Sequence, residues 1–265
     1  MSKLFYLRTS DDALIAYRLD GPAELPLLVL SNSIGTTLLM WDGQIPALSR
    51  HFRVLRYDAR GHGASSVPPA PYSLARLGMD VVELLDALGV QRAHFLGLSL
   101  GGIVGQWLAV HAPERMERLV LANTSAWLGP ARQWDERISE VLQAVDMQGT
   151  AATFLGNWFP ATWLEGANTQ VERFRAMLLA TNRHGLAGSF AAVQEADLRP
   201  DLASVRLPTL VISGQYDTVT AASHGASIAN SIPGARLLTL PAVHLSNVEF
   251  PREFEAAVLD FLLAR

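Results

Sequence analysis

The chain has 265 residues, 49% of them hydrophobic and 17% charged, which is ample for a large buried core and excludes a disordered polymer. Its 21 basic and 25 acidic residues leave a formal net charge of −4, which argues against the clustered positive field of a nucleic-acid-binding surface. Cysteine is absent, so disulfides, thiol catalysis and Cys-ligated metal sites are excluded.

The N-terminal apolar run, residues 4–7, is cut off by Arg8 and is too short for the apolar core of a secretory signal. The longest uncharged stretch, residues 95–110, falls short of the roughly 20 apolar residues of a membrane span. A cytoplasmic protein with no membrane contact is expected. Short β-type runs then alternate with helical patterns, the signature of an α/β sheet. Residues 4–8 and 14–19 read as an antiparallel pair joined at Asp11-Asp12, and 27–30 as a strand covered on both faces. Residues 52–57 follow, with Arg53 and Arg56 weakening their claim to a central position. Ser73 caps a helix carrying Leu77, Val81, Leu84, Leu85 and Leu88 at helical spacing, and Gly89 ends it. Strands are expected over 93–98 and 118–123, with a helix over 101–109 between them.

From about 125 to 204 the β-type runs vanish. Trp134, Ile138, Val141 or Leu142, and Val145 form one helical stripe, Val171, Phe174 and Leu178 another, and Leu186, Phe190 and Val193 a third. Four of the six tryptophans lie here, at 127, 134, 158 and 163. The α/β pattern resumes with a strand over 209–213, a helix over 221–231, a strand over 235–240 and a helix over 251–263. The expected organisation is therefore a core of residues 1–124 and 205–265, interrupted by a helical cap of residues 125–204.

The strongest chemical signal is Gly97-Leu98-Ser99-Leu100-Gly101, a G-x-S-x-G preceded by a strand and followed by a helix. Glycines flank a turn too tight for side chains, and the following helix aims its N-terminal N–H groups at the serine. A serine hydroxyl needs a base, and the base an orienting group, in chain order Ser, acid, His. Among seven histidines, His51, His62, His94 and His111 come too early or lie in core elements, His184 falls in the cap, and His224 begins a surface helix. His244, after the last strand, is the candidate base. Asp217, following the strand at 209–213, is the candidate acid; the other acid position, after the preceding strand, holds Asn123, and Asp201 reads as a surface residue. Leu100 and Ile34 are the candidate N–H donors to the oxyanion. No clustered His/carboxylate motif points to a metal.

These residues, with Asp58-Ala59-Arg60-Gly61-His62-Gly63-Ala64-Ser65, resemble the α/β-hydrolases along the full chain. The resemblance implies a mostly parallel eight-stranded sheet flanked by helices, with a helical lid and no cofactor. Most relatives carry His-Gly where this chain has Asn32-Ser33. That variant, with Asn123-Thr124-Ser125, resembles the 3-oxoadipate enol-lactonases of bacterial aromatic breakdown, the β-ketoadipate pathway. The implied substrate is a small enol-lactone bearing a carboxylate, opened through an acyl-enzyme. An arginine of the cap would meet that carboxylate; Arg132, Arg137, Arg173, Arg175 and Arg183 are available, and Arg132 beside Trp134, at the entry to the cap, is the expected pair. Arg60 and His62 read as structural. The same triad would serve a carboxylesterase, a cofactor-free haloperoxidase or perhydrolase, or a carbon–carbon bond hydrolase. A ligand-binding protein that has lost catalysis is the alternative from another class.

Overall fold

A computed structural model describes residues 3–264. Eight strands, β1 (Phe5–Arg8), β2 (Leu14–Asp20), β3 (Leu27–Ser31), β4 (Arg53–Tyr57), β5 (Ala93–Leu98), β6 (Met116–Ala122), β7 (Thr209–Gly214) and β8 (Arg236–Leu240), form one sheet in the order β1-β2-β4-β3-β5-β6-β7-β8. β2 runs against β1 and β4, and every other pairing is parallel. Eleven α-helices accompany the described strands: α1 (Ile45–Leu48), α2 (Leu74–Ala87), α3 (Leu100–His111), α4 (Arg132–Gln143), α5 (Gln148–Trp158), α6 (Ala161–Leu164), α7 (Thr169–Ala180), α8 (Arg183–Glu195), α9 (Ala222–Ser231), α10 (Ser246–Glu249) and α11 (Pro251–Leu263). No described helix is long and apolar enough to cross a membrane.

Alternation along the inner strands divides the core in two. Val29, Leu55, Phe95, Leu119 and Val211 face one side, packing with Leu77, Val81 and Ile103 of α2 and α3. Leu28, Val54, Leu96, Val120 and Ile212 face the other, with Trp41 and with Phe254 and Val258 of α11. The helices α4 to α8 all fall between β6 and β7, where helical periodicity replaces strand signals.

Two local expectations are corrected. β4 is an interior strand despite its arginines: buried Arg56 is held by Asp20 at 2.8 Å and Asp42 at 2.5 Å, so its charge is paired rather than exposed. The stripe through Trp134 stops at Val141, because α4 ends at Gln143 and Val145 is fully exposed in the link to α5.

Candidate active site

β5 turns into α3 at Ser99, which sits at φ 58° and ψ −117°, a conformation L-residues avoid. The motif glycines make the turn possible. A Cβ on Gly97 would lie 2.1 Å from the Gly101 carbonyl oxygen, and one on Gly101 would lie 2.2 Å from that of Ser31. The elbow is tied to its neighbours: Ser99 N–H donates to Ala122 O at 3.0 Å, and the Thr124 hydroxyl donates to Ser99 O at 2.7 Å. α3 therefore begins at Leu100, one residue before the predicted start.

Asp217 and His244 lie beyond the ends of β7 and β8, both buried, with Nδ1 of His244 2.8 Å from Oδ2 of Asp217. Asp217 Oδ1 accepts from the N–H groups of Val219 and Thr220, and Oδ2 accepts also from the Thr220 hydroxyl at 2.8 Å and Asn123 Nδ2 at 3.1 Å. Burial alone would raise this carboxyl's pKa. The facing His244 and these donors outweigh it and hold Asp217 well below the usual carboxylate range. Asn123, rejected above as an acid, is a bridge: its φ is 42°, its amide reaches both Asp217 and Val243 O, and its oxygen accepts from Ser246 Oγ. A positive φ at a buried asparagine leaves no mark in sequence beyond the residue type.

Ser99 and His244 face one cavity of about 370 Å³, which Ile34 and Leu100 also line. Among the described residues neither the Ile34 nor the Leu100 N–H has a hydrogen-bond partner, whereas Gly35 N–H donates to His62 and Gly101 N–H to Asn32 O. Asn32 braces this loop, taking a bond from Trp41 Nε1 at 2.9 Å and giving one to Tyr57 O at 2.7 Å. Leu128, Trp134, Phe154, Trp158 and Phe190 form the apolar wall, and Arg137, Glu140 and Asn157 add polar groups.

Trp134 is on this wall but Arg132 is not: its side chain is 89% exposed, near Glu136. Residues two apart on a helix are separated by about 200°, so Arg132 and Trp134 cannot share a face. Three apart they do, and Arg137 reaches the cavity with its guanidinium 4.8 Å from the Trp134 ring centroid. The signal for Arg137 was therefore present in the spacing. Arg60 is buried away from the cavity, where it binds buried Asp80 and the exposed Asp11.

Residues 26–251 match the family described as the alpha/beta hydrolase fold. A 3-oxoadipate enol-lactonase of Acinetobacter baylyi is 40% identical, over 94% of this chain and 93% of the relative. A protein of Pseudomonas savastanoi pv. phaseolicola with a provisional carbamate-hydrolase name is 35% identical, over 92% and 96%. A crystal structure of a hydrolase from Pseudomonas aeruginosa PA01 is 77% identical, covers 99% of each chain and superposes with a TM-score of 0.98.

Proposed function

Because the chain belongs to the α/β-hydrolase fold family, we propose that it is a serine hydrolase that opens a small anionic enol-lactone, 3-oxoadipate enol-lactone, to its acyclic acid. The observation that carries the substrate class is the cavity itself: apolar walls around Ser99, with Arg137 the one guanidinium on its surface among the described residues. A carboxylate entering such walls unpaired would cost several kcal/mol. Arg137 supplies the fork that pairs with it, and the Trp134 ring beneath keeps the guanidinium in place.

Ser99 Oγ attacks the lactone carbonyl while His244 Nε2 takes its proton; Nδ1 is engaged by Asp217, which fixes that tautomer. The Ile34 and Leu100 N–H groups receive the negative oxygen. The carbonyl reforms, the ring C–O bond breaks and the enolate oxygen leaves, taking the proton from His244 Nε2 to become an enol still tethered to the acyl group, which returns His244 to its neutral form. Water, giving its proton to His244, then attacks the acyl-enzyme, Ser99 regains its proton, and the released enol tautomerises to the ketone.

The test is kcat/KM for the enol-lactone against a neutral ester of similar size, in the parent protein and in Arg137→Gln. The substitution should cut the lactone value about 10-fold or more and the ester value less than twofold, by loss of a charge-assisted hydrogen bond. Equal losses would remove the carboxylate role. The carbamate-named relative favours a second reading, a small carbamate as substrate, and faster turnover of carbamate than of enol-lactone would put it first.

A further inference from the structure

The loop after β3 presents the Ile34 N–H to the cavity, and what fixes that loop is the next peptide. Gly35 sits at φ 76°, and its N–H donates at 3.0 Å to Nε2 of His62. A nitrogen that accepts must hold a lone pair, so the His62 ring is neutral with its hydrogen on Nδ1, 3.2 Å from the Arg60 carbonyl that accepts it. The ring is 2% exposed, and burial lowers its pKa, which favours this form.

The imidazole is itself anchored. Asp58 takes the Leu38 N–H on Oδ1 at 2.6 Å and the Ala64 N–H on Oδ2 at 2.9 Å, joining the His62 loop to the far end of the Gly35 loop. Arg60 grips Asp80 and Asp11. On the other side of Gly35, the Thr36 hydroxyl donates to Ser33 O at 2.6 Å. The stretch from Ser33 to Leu38 is thus held at both ends; in its middle His62 takes the Gly35 N–H at 3.0 Å, and the Thr181 hydroxyl donates to Gly35 O at a longer 3.4 Å.

We propose that His62 is the positioning residue of the oxyanion hole: by accepting the Gly35 N–H it sets the peptide plane that aims the neighbouring Ile34 N–H at the substrate oxygen. His62 is not on the cavity wall and acts only through Gly35. The inference rests on the serine-hydrolase reading above and goes beyond it by assigning this histidine a part in transition-state binding.

The experiment measures p-nitrophenyl acetate hydrolysis and inhibition by phenylboronic acid, whose tetrahedral adduct on the serine places an oxygen in the oxyanion hole. In His62→Ala, kcat should fall about 10-fold, less than the 10²–10³ typical of losing a donor outright. KM should stay within twofold, and the boronic acid Ki should rise in step with the fall in kcat. His62→Gln, whose amide oxygen is an acceptor, should regain most of both losses at an unchanged melting temperature. A folded His62→Ala with parental kcat and Ki overturns the proposal, as does a folded His62→Gln no better than His62→Ala. If His62→Ala does not fold, His62→Gln decides alone: near-parental boronic acid affinity supports the assignment and a tenfold loss overturns it. Ser99→Ala separates the two readings. Residual parental turnover there removes the serine mechanism itself, whereas an inactive Ser99→Ala beside an unaffected His62→Ala removes only the role of His62.

Discussion

Ser99 occupies a strained backbone conformation that its neighbours enforce, and the glycines two residues either side leave no room for alternatives. Gly97→Ala and Gly101→Ala should therefore fail to give folded protein, read as loss of soluble expression or of a cooperative melt. The acid is as closely specified. Asp217→Asn keeps the shape but withdraws the charge that fixes the His244 tautomer, so kcat should drop by about 10⁴ with KM little changed. It should also alter the acid limb of stability. The Asp217 carboxyl is held below its unfolded value, so it contributes stability that is present above about pH 3.9 and lost as pH falls through the folded value. Denaturant midpoints followed downward from pH 6 should fall less steeply in Asp217→Asn. At this scale the strand-flanked serine motif and the strand-end positions of Asp217 and His244 were legible because chain order and local pattern determine them. The role of Asn123 and the choice among the cap arginines were not: the first depends on a positive φ, and preferring Arg132 to Arg137 ignored which face of α4 Trp134 occupies.

The elements are bound to one another by charges as well as by apolar layers. Arg60, on the loop after β4, and Asp80, on α2, are both under 4% exposed and 2.7 Å apart, with Asp11 closing the cluster. Replacing Arg60 by Leu leaves buried Asp80 with Arg76 alone, at 3.1 Å, so the cost should fall below the roughly 3–5 kcal/mol of breaking a buried pair outright. Chemical unfolding should show that loss, and Arg60→Leu combined with Asp80→Asn should recover part of it; strict additivity of the two changes would mean they are not coupled. The same principle explains the underrated β4. Charge on a strand suggests an edge when read residue by residue, but Asp20 and Asp42 neutralise Arg56 from β2 and from the segment after β3, partners visible only once the strands are paired. The helical segment was legible as helix from periodicity, while the boundaries of α5 and α6 were hidden in apolar residues that fit several registers.

At the scale of the molecule, the parallel sheet explains why residues distant in the chain converge. Ser99, Asp217 and the loop bearing His244 follow β5, β7 and β8, all of which end at the same edge, and the loop bearing Ile34 follows β3 to that edge. The helices between β6 and β7 then supply Trp134, Arg137 and Phe190 to the cavity wall. A ligand that bridges Ser99 and Arg137 joins sequence-distant parts and should stabilise the whole fold. A short dicarboxylate product analogue at 100 times its Kd contributes about 2.7 kcal/mol, which should raise the melting temperature by several degrees and leave Arg137→Gln nearly unmoved.

One contact between these two parts has no side chain in it. Gly61, beside His62, and Gly185, in the first turn of α8, lie so close that a Cβ on either would come within 2.5 Å of the other's main chain. Backbone against backbone, α8 is seated on the loop that follows β4. A methyl group on either glycine would have to force the two main chains apart, so Gly185→Ala should lower the melting temperature by displacing α8 from that loop.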